Sequence, residues 1–126
     1  MRNRQRPRYF ILEGKKPRPV RDVMTWAQWF EDAERRVAFS VMLDGSEVST
    51  VFLGSDHNHS GRGRPVLFET CVFLHESTAP GTVLFGRTIR QSEVLQRYST
   101  WAEAEVGHME IVEGFEVPVM SEKARQ

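Results

Sequence analysis

The chain has 126 residues, 40% of them hydrophobic, with 17 Lys and Arg against 17 Asp and Glu. That is enough chain to bury one core without covalent staples. The single cysteine, Cys71, excludes an internal disulfide and fits a reducing cytoplasm. No apolar run approaches the roughly 18 residues of a membrane helix, and Tyr9–Leu12 is too short for a signal peptide. The charge is unevenly spread. Residues 1–21 hold eight Arg and Lys against one Glu, and the rest of the chain is acidic. A basic arm has two readings: a solvated, disordered terminus, or a contact arm for an acidic partner or for nucleic acid, the latter through residues 2–8.

In chain order, residues 1–8 read as a disordered basic arm, 9–120 as a single α+β domain, and 121–126 as a disordered tail. Arg8–Leu12 reads as a short strand, and Lys15–Pro19, with two prolines, as a loop. A first helix is expected from an N-cap at Thr25. Gln28 would complete a capping box, and Met24 and Trp29 would form a staple. Its apolar face is Trp26, Trp29, Phe30, Ala33 and Val37. Ala38–Leu43 follows as a strand, and Asp44-Gly45 as a turn.

The centre of the chain is Glu47–Leu74. Two runs rich in Val, Phe and Leu flank the polar loop Asp56–Pro65 and predict a long antiparallel hairpin. Pairing 57 with 65 would pair 53 with 69. In the run 66–74 both alternating sets are mostly apolar, which predicts a central strand covered on both faces. Thr82–Ile89 reads as a further strand interrupted at Gly86, and Val94–Tyr98 as an edge strand. Thr100 and Glu103 form a capping box for a second helix with Trp101, Ala104, His108 and Ile111 on one face. Gly114 is read as its stop, with an alternating strand at Phe115, Val117 and Val119. The expected fold is α+β, an antiparallel sheet of four to six strands with two helices on one face.

The loop carries most of the candidate chemistry. His57-Asn58-His59 invites comparison with HNH nucleases, but a strand follows it where such a site needs a helix. His57 and His59, with Asp56, have the ligand types zinc accepts, yet no native metal or other cofactor is expected. Ser60–Arg64 could wrap a phosphate with backbone amides and the Arg62 and Arg64 guanidinium groups. It matches neither the dinucleotide fingerprint nor the P-loop, and there is no Gly-x-Ser-x-Gly elbow. Glu69 lies mid-strand on an apolar face, so it must be paired, hydrogen-bonded or protonated. It shares a face with His57, but the expected register separates them by roughly 13–14 Å, too far for a dyad. His108, on the apolar face of the second helix, reads as a core histidine or a ligand contact.

Four segments together carry a resemblance. They are Met24–Glu31, Val48–His57, Leu67–Phe73 and Arg97–Trp101 running on to Glu105 and His108. In this order and spacing the chain resembles a family of short uncharacterised proteins encoded by tailed phages and prophages. The resemblance implies a viral genome and the cytoplasm of a bacterial host, with no activity to transfer. Here Asn58-His59 replaces the aromatic and glycines usual after Asp-His, residues 75–93 look inserted, and the arm 1–8 is extra. Asp56, His57, Glu69 and His108 fall within the matched segments. The expected function is a non-catalytic accessory protein that binds a host protein or a nucleotide-like small molecule as a homodimer, with the blunting of a host defence as one role such binding would serve. The alternatives are a small phosphoester hydrolase using Asp56, His57 and Glu69, and a nucleic-acid binder working through the basic arm.

Overall fold

A computed structural model describes residues 6–76, 78, 83, 84 and 86–124, with side chains through Phe115. The order is β1 (Tyr9–Glu13), β2 (Lys16–Val20), α1 (Val23–Asp32), β3 (Arg36–Val41), β4 (Glu47–Phe52), β5 (Phe68–Phe73), β6 (Val83–Leu84), β7 (Arg87–Thr88), β8 (Ser92–Tyr98) and α2 (Trp101–Ala124). An antiparallel sheet β3-β4-β5-β8 forms the body, and β1-β2 and β6-β7 are separate two-stranded hairpins. The α+β expectation holds, and β5 is central, between β4 and β8. No helix among the described residues is long and apolar enough to cross a membrane.

Strand alternation gives the sheet two different faces. Val48, Thr50 and Phe52 of β4 and Phe68, Thr70 and Val72 of β5 are fully buried. α2 lies over them with Ala104, His108, Ile111 and Phe115 turned inward. Trp29 brings α1 to the same side, its ring edge-on to Phe52 at 6.0 Å. Two apolar clusters result, one around Val48, Val72, Ile89 and Ile111, the other around Phe10, Phe52, Phe68 and Tyr98.

Between the clusters runs a row of polar side chains. Ser40 Oγ lies 2.9 Å from His108 Nε2, and Thr50 Oγ1 lies 2.8 Å from His108 Nδ1. Thr50 hydrogen-bonds Thr70, and Thr70 Oγ1 lies 2.9 Å from the Tyr98 hydroxyl. Each strand of the sheet therefore supplies one hydroxyl, and α2 supplies the imidazole. Tyr98 reaches this row because Gly107 faces it. A Cβ at that position would overlap the phenol ring.

Several expectations need correction. Helix α1 begins three residues earlier than expected, because Asp22 is the N-cap. Its carboxylate accepts from the Met24 amide and from the Thr25 hydroxyl. Thr25 therefore serves the cap as a donor, and Met24 is 63% exposed, with no staple position before the cap. α1 ends at Asp32, so Val37 belongs to β3 and not to the helix face. Arg35 helps draw the chain away: its guanidinium sits 4.0 Å over Phe30 and donates to the Phe52 carbonyl. Lys16–Val20 is a strand, not a loop. Its prolines are two apart, so both ring nitrogens face one edge, which an edge strand can leave unpaired. In the central hairpin Val51 pairs with Glu69 and Phe52 with Phe68, two residues away from the expected register. A shift of two keeps every side chain on its face. Helix α2 does not stop at Gly114, and residues 115–119 are helical, because Phe115 continues its buried stripe. Of the tail, 121–124 belong to that helix and 125–126 lie outside the described residues. Of the basic arm, residues 1–5 lie outside them too, while Arg6 and Arg8 are bound to the loop after β4.

Replacing Gly107 with Ala should raise intrinsic helix propensity by about 1 kcal/mol. The variant is nonetheless expected to be less stable by about 1–3 kcal/mol, because Tyr98 must leave the polar row. Denaturant unfolding checks this, and a more stable Gly107→Ala protein would contradict the packing described.

Candidate functional site

The loop between β4 and β5 is built around two side chains. Asp56 Oδ1 accepts from the amides of Asn58 at 2.8 Å and Val66 at 2.9 Å, and Oδ2 accepts from Arg6 at 3.2 Å. Asn58 holds the tip. Its amide nitrogen donates to the carbonyls of Arg62 and Arg64, and its oxygen accepts from Ser60. Strand β1 braces the first limb, with Phe10 N donating to Gly54 O and Asp56 N to Arg8 O. The Trp26 indole N–H donates to the carbonyls of Phe10 and Gly54 and locks α1 onto the same limb. Gly54 has φ +81, and a Cβ there would run into Phe30.

Asp56 is therefore a scaffold carboxylate. Burial pushes its carboxyl up, but the Asn58 and Val66 amides and the Arg6 guanidinium outweigh burial and hold it below the ordinary range. His57 donates from Nδ1 to the Ser55 carbonyl at 3.1 Å, which leaves Nε2 as the acceptor of the neutral ring. Burial lowers its pKa, Arg97 and His59 push the same way, and Glu69 and Asp56 oppose them. The His57 and His59 rings are 6.2 Å apart. Among the described residues no three His, Cys, Asp or Glu side chains gather to hold a metal. Arg64 leaves the loop for an ion pair with Glu103 at 2.9 Å, and Arg62 is exposed at the tip.

Glu69 lies on the sheet face away from α2, paired with Arg97 at 3.4 Å. No hydrogen bond joins it to His57 among the described residues, although its charge reaches the ring. The Cys71 thiol is 3.9 Å from Glu69, and burial first, then the Glu69 charge, raise its pKa, which favours the protonated thiol. His108 is on the opposite face, 1% exposed, and burial lowers its pKa. The structure thus brings Asp56, His57, Arg62 and Arg64 into one loop and sets Glu69 beside it. It puts His108 in the core.

The face carrying Glu69 is open. Cross-strand pairing lines up Phe39, Ser49, Cys71 and Val94 in one row, and Val41, Glu47, Phe73 and Ser92 in the next. Phe39 is 40%, Val41 59% and Phe73 43% exposed. Both helices cover the other face of β5, as expected, and this face is the one whose expected cover is a partner subunit or the tail. Sequence reasoning also missed Arg97 as the partner of Glu69. It missed the meeting of Lys15, Lys16, Arg64 and Trp101 beside the start of α2, where they line one cleft. Trp101 was legible only as a member of the apolar face of α2, and the lysines only as loop residues.

Comparison of the chain with protein-family models, with curated proteins and with solved structures returned no match.

Replacing Asp56 with Ala strands two loop amides and the Arg6 charge, and should cost about 2–4 kcal/mol. The pH sign follows from the lowered carboxyl. Its stabilisation is complete above an unfolded value of ~3.9 and is lost as pH falls through the lower folded value. Acid unfolding of the Asp56→Asn variant should accordingly show a shallower pH dependence below pH ~4 than the parent. Identical slopes would show that Asp56 does not hold the loop as a carboxylate.

Proposed function

We propose that this chain is a small accessory binding protein, encoded by a tailed phage or prophage and working in the cytoplasm of its bacterial host. It acts by contact and performs no catalysis of its own. The observation that carries this reading is the open sheet face, where Phe39 and Val41 of β3 and Phe73 of β5 are exposed on either side of Ser49 and Glu47 of β4. Large apolar side chains exposed together on one face, with polar residues among them, mark an interaction surface. Two of the three residues that would serve a hydrolase are committed to structure: Asp56 holds the loop and Glu69 pairs with Arg97, and neither is hydrogen-bonded to His57 among the described residues.

The first occupant of the face is a second copy of the chain. Arg36 and the Glu69–Arg97 pair lie at one end of the face, which leaves that end net positive, and Glu47 lies at the other. A two-fold axis running across the strands sets each basic end over the other copy's acidic end. Four strands ~4.8 Å apart and six residues long present roughly 400 Å², about half of a standard interface per partner. Such a dimer is weak, and a host protein with a complementary apolar face can displace it.

Light scattering tests this. The mass should rise from 14.6 kDa towards twice that with concentration, and Phe73→Glu should hold it at the monomer value without lowering stability. A mass of 14.6 kDa at every concentration would overturn the homodimer.

A further inference from the structure

We infer that the cleft between the β1–β2 hairpin and the start of α2 binds a mononucleotide-sized ligand, an aromatic heterocycle carrying phosphate. The cleft is open to solvent, has a volume of about 720 Å³, and lies at the end of the sheet where the β4–β5 loop meets the hairpin. Ligand sites for small organic molecules commonly span about 300–1,000 Å³. None of Phe39, Val41 and Phe73 lines it, so this site is independent of the sheet face.

Two kinds of surface meet there. Phe10, Leu67 and Trp101 give an apolar, partly aromatic wall. Lys15, Lys16 and Arg64 give a cationic rim. Arg64 is already bridged to Glu103, but neither lysine takes part in an ion pair among the described residues. The Lys15 ammonium instead sits 5.8 Å from the centre of the Trp101 ring, near the limit of a cation–π contact. Glu105, also in the lining, is the acidic side chain the rim must outweigh.

Trp101 itself has an unusual setting. Its indole N–H is buried without an acceptor, the one such side-chain atom among the described residues. Its ring is fixed by edge contact with Phe68, 6.2 Å away at 83°. Packing thus holds the ring as a wall of the cleft without the hydrogen bond a buried indole ordinarily makes. Trp101 and Ala102 begin α2, and the Thr100–Glu103 capping box serves the amides of Ser99, Thr100 and Glu103. The amides of Trp101 and Ala102 stay outside it, at the positive end of the helix dipole.

The combination selects the ligand class. A bare phosphate would meet the lysines and leave the apolar wall unfilled. A neutral aromatic molecule would stack on the wall and leave both lysines unmatched. A heterocycle bearing phosphate satisfies both, with the ring against Trp101 and the phosphate at Lys15 and Lys16. The same chemistry occurs at the phosphorylated end of a nucleic acid strand, so the test separates the two sources.

Calorimetric titration of the full chain with AMP, GMP, CMP and UMP, beside the four corresponding nucleosides, inorganic phosphate and a 5′-phosphorylated tetranucleotide, is the direct experiment. At least one mononucleotide should bind about tenfold or more tightly than its nucleoside or inorganic phosphate. Lys15→Glu and Lys16→Glu, both at exposed positions, should each weaken that binding about tenfold. Phe73→Glu, on the sheet face, should leave it unchanged, so loss of dimerisation and loss of this site are read separately. Absence of mononucleotide binding, insensitivity to both lysine reversals, or competition by inorganic phosphate at equal affinity would each overturn the assignment. Binding of the tetranucleotide about a hundredfold tighter than any mononucleotide would also overturn it, in favour of a strand end.

Discussion

One hydroxyl from each strand of the sheet joins a hydrogen-bonded row with the His108 imidazole beneath α2, and the rest of the architecture depends on that row. A buried hydroxyl or imidazole without a partner is costly, so each member fixes the next. Ser40 and Thr50 occupy the two ring nitrogens of His108, Thr70 follows Thr50, and Tyr98 closes the row. A slip of one residue in any strand would turn its hydroxyl to the opposite face. The row therefore fixes strand register and the seat of the helix together. Gly107 is its steric counterpart, since a larger residue would push Tyr98 out.

Sealing one face so thoroughly gives the other its character. With both helices committed to the Phe52 side, Phe39, Val41 and Phe73 are left to solvent. The polar chemistry near that face is conservative. Arg97 neutralises Glu69, and the His57 ring stays neutral because burial and Arg97 outweigh the neighbouring carboxylates. Asp56 and Asn58 shape the loop from within, while the sheet face is left to solvent. That division is the physical basis for reading the protein as a binder.

Much of this was legible in the sequence, and the failures have physical causes. The Thr100–Glu103 capping box and the stripe Trp101, Ala104, His108, Ile111 stand as read, because both signals are local to one helix. The start of α1 was misread because Asp22 and Thr25 are both good caps, and three residues apart they act as partners. Lys16–Val20 was misread because proline opposes a strand in general but not on an edge. Gly114 was misread as a stop because propensity is weak beside the burial of Phe115. Asp56 looked like chemistry from its neighbours His57 and His59, although Asp-x-Asn is equally the signature of a side chain that accepts the amide two residues on. The pairing of Glu69 with Arg97 and the cleft around Trp101 join residues that no local pattern connects.

The most direct test of this account is the protonation of His108, followed by NMR of its ring nitrogens across pH. Burial lowers its pKa, so the ring is expected to be still neutral, in one tautomer with a slowly exchanging N–H, at pH ~6.5, where a free histidine is charging. A His108 that titrates near pH ~6.5 in the folded protein, with a rapidly exchanging ring proton, would contradict it.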